Sequence, residues 1–166
     1  RPPRPNSRAG NEALRLTVED RSVPLVAVWL GGLGVVPFLA CSALILAGPP
    51  ELVGRASDAL AAYGAVILSF LGGVQWGFAT GDAHAARENG ALLRRLSVSV
   101  LPSLVAWTVL LAPREPGFVV LAGTFLLVLL VDIRAARSDQ APAWYPSLRW
   151  PLTLLVVASL IGATLA

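Results

Sequence analysis

The polar side chains able to do chemistry in this sequence are few, and they gather near the ends of apolar runs. Gln75, Trp76, Asp82, His84, Arg94, Arg95, Asp132, Arg134, Trp144, Tyr145 and Arg149 form one such set. An ionisable group inside a bilayer is a functional candidate by default, because it must be paired or hydrated to be tolerated there. Asp132 closes an apolar run and can meet Arg94, Arg95 or Arg149 in a shallow ion-paired pocket. Such a pairing could equally do no more than lock the helices together, and the same charges also read as ordinary loop residues that set topology. Gln75 lies about one helical turn from the end of its run, within reach of a ligand or a neighbouring helix, but snorkelling to the headgroups is the simpler reading. Trp76 is either a ligand wall or an interface anchor. Asp82 and His84 offer two metal ligands with Glu88 as the near addition, whereas a zinc site needs three or four, so no metal is expected. The chain has one His and one Cys, His84 and Cys41, far apart in sequence. Ser69 has no adjacent base, and no glycine-rich loop sits at a strand-to-helix turn. Hydrolase, kinase and dinucleotide chemistry fall away together. No cofactor is expected and no catalytic residue is assigned.

The elements that must position these groups follow from composition. Of 166 residues, 55% are apolar and only 14% charged, which leaves too little charge to cover a water-soluble surface. Disorder is excluded by the same apolar content. Five stretches carry no charge at all: Ser22 to Pro50, Ala59 to Gly81, Leu96 to Pro113, Pro116 to Val131 and Trp150 to Ala166. A bilayer core about 30 Å thick takes roughly 20 apolar residues as a helix. The expected fold is therefore an all-α membrane bundle of five spans, about 23–47, 59–79, 96–112, 117–132 and 150–166, behind a mobile Arg- and Pro-rich leader over 1–21. The shorter spans are lengthened by snorkelling of Arg95, Arg134 and Arg149.

Arginine placement orients the bundle. Arg1, Arg4, Arg8, Arg15, Arg21, Arg87, Arg94, Arg95, Arg134, Arg137 and Arg149 fall on one side, and Arg55 and Arg114 on the other. That asymmetry in short loops puts the N-terminus in the cytoplasm and the C-terminus outside. Lysine is absent, and Ala, Arg, Gly and Pro are abundant, as in the codon usage of a GC-rich bacterium. The expected location is a bacterial inner membrane.

Span two carries the clearest packing signal. At 100° per residue, Ala62, Ala65, Ser69, Gly72, Gly73 and Trp76 fall within roughly 50° of one direction, with Ile67, Leu71, Val74 and Phe78 opposite. Ser69, Gly73 and Gly77 also repeat at the small-xxx-small spacing that lets helices approach closely in lipid. Span two is expected at the centre of the bundle, with Ser57 or Asp58 capping its start. Pro37 and Pro102 are expected to bend spans one and three, with nearby Ser side chains satisfying the carbonyl freed in span three. Trp144, Tyr145 and Trp150 belong at headgroup level.

The segment Tyr63-Gly64-Ala65-Val66-Ile67-Leu68-Ser69-Phe70-Leu71-Gly72-Gly73-Val74-Gln75-Trp76-Gly77 resembles the hallmark of the domain-of-unknown-function family 3429. Gly34-Val35-Val36-Pro37-Phe38, Leu101-Pro102, Asp132, Pro142-Ala143-Trp144-Tyr145, Leu148-Arg149 and Leu152-Thr153 look like its other landmarks. Gln75 stands where the family pattern has His. The resemblance implies a small bundle in a bacterial or mitochondrial inner membrane and no established activity. The candidate ligand or partner residues are Ser69, Gly72, Gly73, Gln75, Trp76, Asp132, Trp144, Tyr145 and Arg149. The expected function is a non-enzymatic accessory or assembly bundle, binding another membrane protein through the small-residue face of span two. The alternative is a binder or carrier of a small apolar ligand, in a pocket on the cytoplasmic side walled by Trp76, Trp107, Trp144 and Tyr145. The bilayer itself is a partner, and nucleic acid is not.

Overall fold

The computed structural model describes residues 22–81 and 89–165. The expected leader, and the loop holding Asp82, His84 and Glu88, lie outside the described residues. The described residues form five helices and no strand: α1 (Leu25–Ala47), α2 (Pro50–Gly81), α3 (Asn89–Leu110), α4 (Arg114–Arg137) and α5 (Tyr145–Gly162). They alternate in direction. One end of the bundle gathers the start of α1, the end of α2, the start of α3, the α4–α5 connection and most of the described arginines, and is called the arginine end below.

Helices α1, α2, α4 and α5 pack as a ring, and α3 lies against α2 and α4. Helix α2 thus touches three neighbours, as its small residues predict. Its buried side differs from the expected one. Leu60, Leu68 and Leu71 are buried together with Ala61, Gly64, Ala65 and Gly72, while Ala62, Ser69, Gly73 and Trp76 are exposed. A helix with three neighbours buries a wide arc, and large side chains must fill the spaces between close crossings. Only Gly72 marks such a crossing towards α3: an added Cβ there would collide with the Ser99 carbonyl oxygen.

The helices run past the apolar stretches. Helix α2 begins at Pro50, one turn after α1 ends, with Glu51 in its first turn. Proline needs no N–H partner at that position, and an acidic residue there suits the helix dipole. Ser57 is accordingly no cap, and its hydroxyl donates to the Val53 carbonyl within the helix at 2.9 Å. Helix α4 continues through Arg134 to Arg137 and closes with Asp139 in the left-handed region (φ 54°), where Gln140 N–H reaches the Ala135 carbonyl at 2.8 Å. This six-to-one bond turns the chain back into α5.

Pro37 is accommodated inside α1. It removes the bond that would reach Leu33, and across the interface Tyr63 donates its hydroxyl to the neighbouring Gly34 carbonyl at 3.0 Å. Pro102 likewise sits inside α3, but Ser99 donates to Leu96 at 2.7 Å, not to the Val98 carbonyl freed by the proline. The core centres on Phe38, fully buried, with Tyr63 and Phe125 edge-on at centroid distances of 5.0 and 5.8 Å.

Among the described residues, α1 to α4 are long and apolar enough to cross a membrane by length and composition. Helix α5 is shorter and carries Arg149, yet it runs beside α4 and α1. Arg149 pairs with α4 near the arginine end, and the Ser42 hydroxyl of α1 donates to the Ser159 carbonyl at 3.0 Å near the opposite end. The outer surface is apolar, with Leu25, Trp29 and Leu33 on α1, Leu101, Leu104 and Trp107 on α3, and Leu127 on α4 all more than half exposed. In water such a surface is an aggregation hazard, and in lipid it is the natural coat.

Candidate functional site

The nine candidate residues separate into two groups. Ser69, Gly72, Gly73 and Trp76 lie on the α3-facing flank of α2, along a shallow groove of about 240 Å³ shared with Ser99 and Ser103. The Ser69 hydroxyl donates to the Ala65 carbonyl at 2.9 Å, so it is spent on its own helix. Nothing lies within 4 Å of a Cβ added at Gly73 or Gly77.

The second group is a polar network at the arginine end. Asp132 on α4 is 1% exposed. Its Oδ2 accepts the Arg149 Nε–H at 2.9 Å, and its Oδ1 accepts from the Gln75 side-chain amide. Of the three arginines that sequence allows as partners, the structure selects the one on α5. Arg94, Arg95 and Arg134 instead border a separate space of about 430 Å³ between α2, α3 and α4, where Arg95 Nη2 donates to the Phe78 carbonyl at 3.5 Å. Asp132 is therefore no water-exposed span end. It sits five residues inside the end of α4, about 8 Å at 1.5 Å per residue. Gln75 does not snorkel, because the α4 carboxylate meets its amide inside the bundle. Tyr145 is buried beside this network, edge-on to Phe78 and Trp144 at 5.4 and 6.0 Å.

Arg149 has a second face. A cleft of about 320 Å³ opens between the first half of α1, the second half of α2, and α5. Its walls are apolar, with Gly34, Phe38, Ile67, Leu71, Leu152 and Val156 among them, and Trp144 and Tyr145 close its arginine end. Leu30 on α1 and Phe70 on α2 line it and are themselves exposed on the outside of the bundle. Arg149 and Thr153 also line it. Arg149 Nη2 and Thr153 Oγ1 are the buried side-chain polar atoms without a hydrogen-bond partner among the described residues. The two residues are one turn apart on the same face of α5. Trp76 and Trp107, expected as walls, are not part of the cleft. Trp76 belongs to the α2–α3 groove, and Trp107 is on the exposed side of α3. Thr153 and the glycines of α1 were not among the expected site residues, although the Arg149-xxx-Thr153 spacing was readable.

The fold and these two sites define a polytopic helical membrane protein whose buried ion pair backs onto an apolar cleft. The chain belongs to the family described as "Protein of unknown function (DUF3429)", whose family model matches residues 23–165. It is 35% identical over 149 residues to "Transmembrane protein 69" of Xenopus tropicalis, covering 86% of this chain and 55% of that protein. It is 26% identical over 138 residues to "Transmembrane protein 69" of Mus musculus, covering 83% of this chain and 55% of that one. The chain thus spans about half the length of these curated relatives. No solved structure matches. The family read from the span-two motif is the family shown, and with it an integral membrane bundle.

Proposed function

We propose that this protein is a non-enzymatic bundle that binds a small, largely apolar ligand in the cleft between α1, α2 and α5. The observation that carries the reading is that Arg149 and Thr153, whose Nη2 and Oγ1 are buried without a hydrogen-bond partner, line an otherwise apolar space of about 320 Å³. Ligand sites have this make-up: an apolar lining with a few convergent polar groups, in volumes of about 300–1,000 Å³. A non-enzymatic role is supported by what the reactive groups already do, since Ser69 is bonded to its own helix and both Asp132 oxygens accept donors. The bundle crosses the membrane five times, N-terminus in the cytoplasm and C-terminus outside. The arginine asymmetry supports this topology, and the absence of lysine supports a bacterial inner membrane as its home. The test is native mass spectrometry of the full chain released from nanodiscs made from native membranes. Wild type should retain a small-molecule adduct that Val74→Trp, which fills the cleft, loses. No adduct, or the same adduct on both, would sink the reading.

A second reading is favoured by a separate observation. The Ser69, Gly73 and Gly77 ladder is exposed, with open space over both glycines, as expected of a face kept for the helix of a partner membrane protein in an accessory or assembly role. A Cβ at Gly73 meets nothing within 4 Å, so Gly73→Leu should leave the bundle intact while abolishing stoichiometric co-purification of a partner from native membranes.

A further inference from the structure

We infer that the cleft selects an uncharged, lipid-soluble molecule through a carbonyl oxygen, which takes the hydrogen bonds that Arg149 and Thr153 offer. The inference rests on the ligand-binding reading and adds the chemical class.

The electrostatics come first. Arg149 and Asp132 are a pair with no net charge, and each is at least nine-tenths buried. Gln75 contributes a further donor to the carboxylate and no charge. Asp132 does not line the cleft, whereas Arg149, whose Nε–H it accepts, does. A ligand carboxylate or phosphate at Arg149 Nη2 would leave two negative groups around one cation, and a net charge in a low-dielectric site is costly. A ligand ammonium meets the Arg149 cation, with only the Thr153 hydroxyl to accept from it. A neutral oxygen with lone pairs leaves the charge balance at zero and satisfies the orphaned donor.

The donors then narrow the choice. Nη2 can only donate, and a hydroxyl can do either. Thr153 is 1% exposed and sits one turn deeper along α5 than Arg149, facing the same way. A carbonyl oxygen accepts two hydrogen bonds along its two lone pairs, so one such group can serve both residues. The rest of the wall is hydrocarbon and aromatic, so the remainder of the ligand is apolar. Leu30 and Phe70 line the cleft and are also exposed on the outside of two membrane helices, which makes the bilayer the natural source of the ligand. Ketones, quinones and esters share this chemistry. The ester carbonyl of a bulk glycerolipid and a free lipid-soluble carbonyl compound are its two natural sources.

The experiment uses the full chain in nanodiscs of ether-linked phosphatidylcholine, which has no ester carbonyl. Three probes with the same length of tail are titrated: 2-undecanone labelled with ¹³C at the carbonyl, undecane and undecanoate. The ketone should bind saturably, about tenfold more tightly than undecane, and its labelled infrared carbonyl band should shift to lower frequency on binding. Thr153→Val keeps the side-chain shape and should weaken the ketone about fivefold while leaving undecane unchanged. Arg149→Lys should abolish the tenfold preference, and because it disturbs the ion pair it is read only beside the Thr153 variant. Undecanoate binding as tightly as the ketone would overturn the neutral-carbonyl assignment and leave the cleft reading standing. Undecane equal to the ketone, with no band shift, would do the same. Saturable binding of none of the three would overturn both. Repeating the titration in ester-linked lipid identifies the source: a weaker apparent ketone affinity points to glycerolipid esters, and an unchanged one to a free carbonyl compound.

Discussion

The two flanks of α2 both have a glycine at the helix interface, Gly72 of α2 towards α3 and Gly34 of α1 on the other side, and end up in opposite states. Towards α3, Gly72 brings the helices so close that the Ser99 carbonyl oxygen lies where a Cβ would stand. Towards α1, Gly34 receives the Tyr63 hydroxyl, but beyond that contact the helices leave a cleft. Glycine content alone does not decide which flank closes. Closure needs a backbone group on the neighbour directly over the glycine, whereas on the α1 side the facing groups are long side chains that hold the helices apart. Specificity then passes to whatever polar atoms line the remaining space, here Arg149 and Thr153.

The largest expected effect tests the ion pair behind the open flank. Arg149→Met leaves the Asp132 carboxylate buried without its cation and should cost about 3–5 kcal/mol. Unfolding in a denaturing detergent series measures it, and Asp132→Asn in the same chain should restore most of the loss. A next, smaller effect tests the closed flank. Gly72→Ala should cost about 1–3 kcal/mol through the Ser99 clash. Its neighbour Gly73→Ala, facing open space, should be neutral or stabilise by up to about 1 kcal/mol. Equal effects at the two glycines would erase the contrast. The smallest destabilisation is at Gly31, where a Cβ would come within 2.7 Å of the flexible Leu152 Cδ1. Gly31→Ala should cost no more than about 0.5–1.5 kcal/mol, yet should lower ketone affinity measurably as Leu152 is displaced along the cleft wall.

The bundle was legible because five uncharged runs leave the chain little choice of surroundings. The helix starts were not. Charge marks where a helix leaves the bilayer, not where its hydrogen bonds end, so Pro50 to Asp58 read as a loop and folded as helix. The site was legible by residue type and not by pairing. Arg94, Arg95 and Arg149 are all close to the arginine end, and only the packing of α5 beside α4 determines which meets Asp132. Gln75 was weighed against headgroups because the sequence does not show that α4 brings a carboxylate to that depth. The split of small and large faces on α2 failed because a helix with three neighbours has no single inward direction. Thr153 reads in the sequence as part of the Leu152-Thr153 landmark and not as a site residue, since a lone hydroxyl one turn from an arginine is informative only once both are buried on one wall.

Helix α2 has 32 residues, about 48 Å of rod at 1.5 Å per residue, against a hydrocarbon layer of about 30 Å. A rod that long must either lean or stand out of the sheet that holds it. Because α1, α3 and α4 all rest on α2, a lean that α2 takes in a thinner bilayer is one its neighbours must follow or absorb at their crossings.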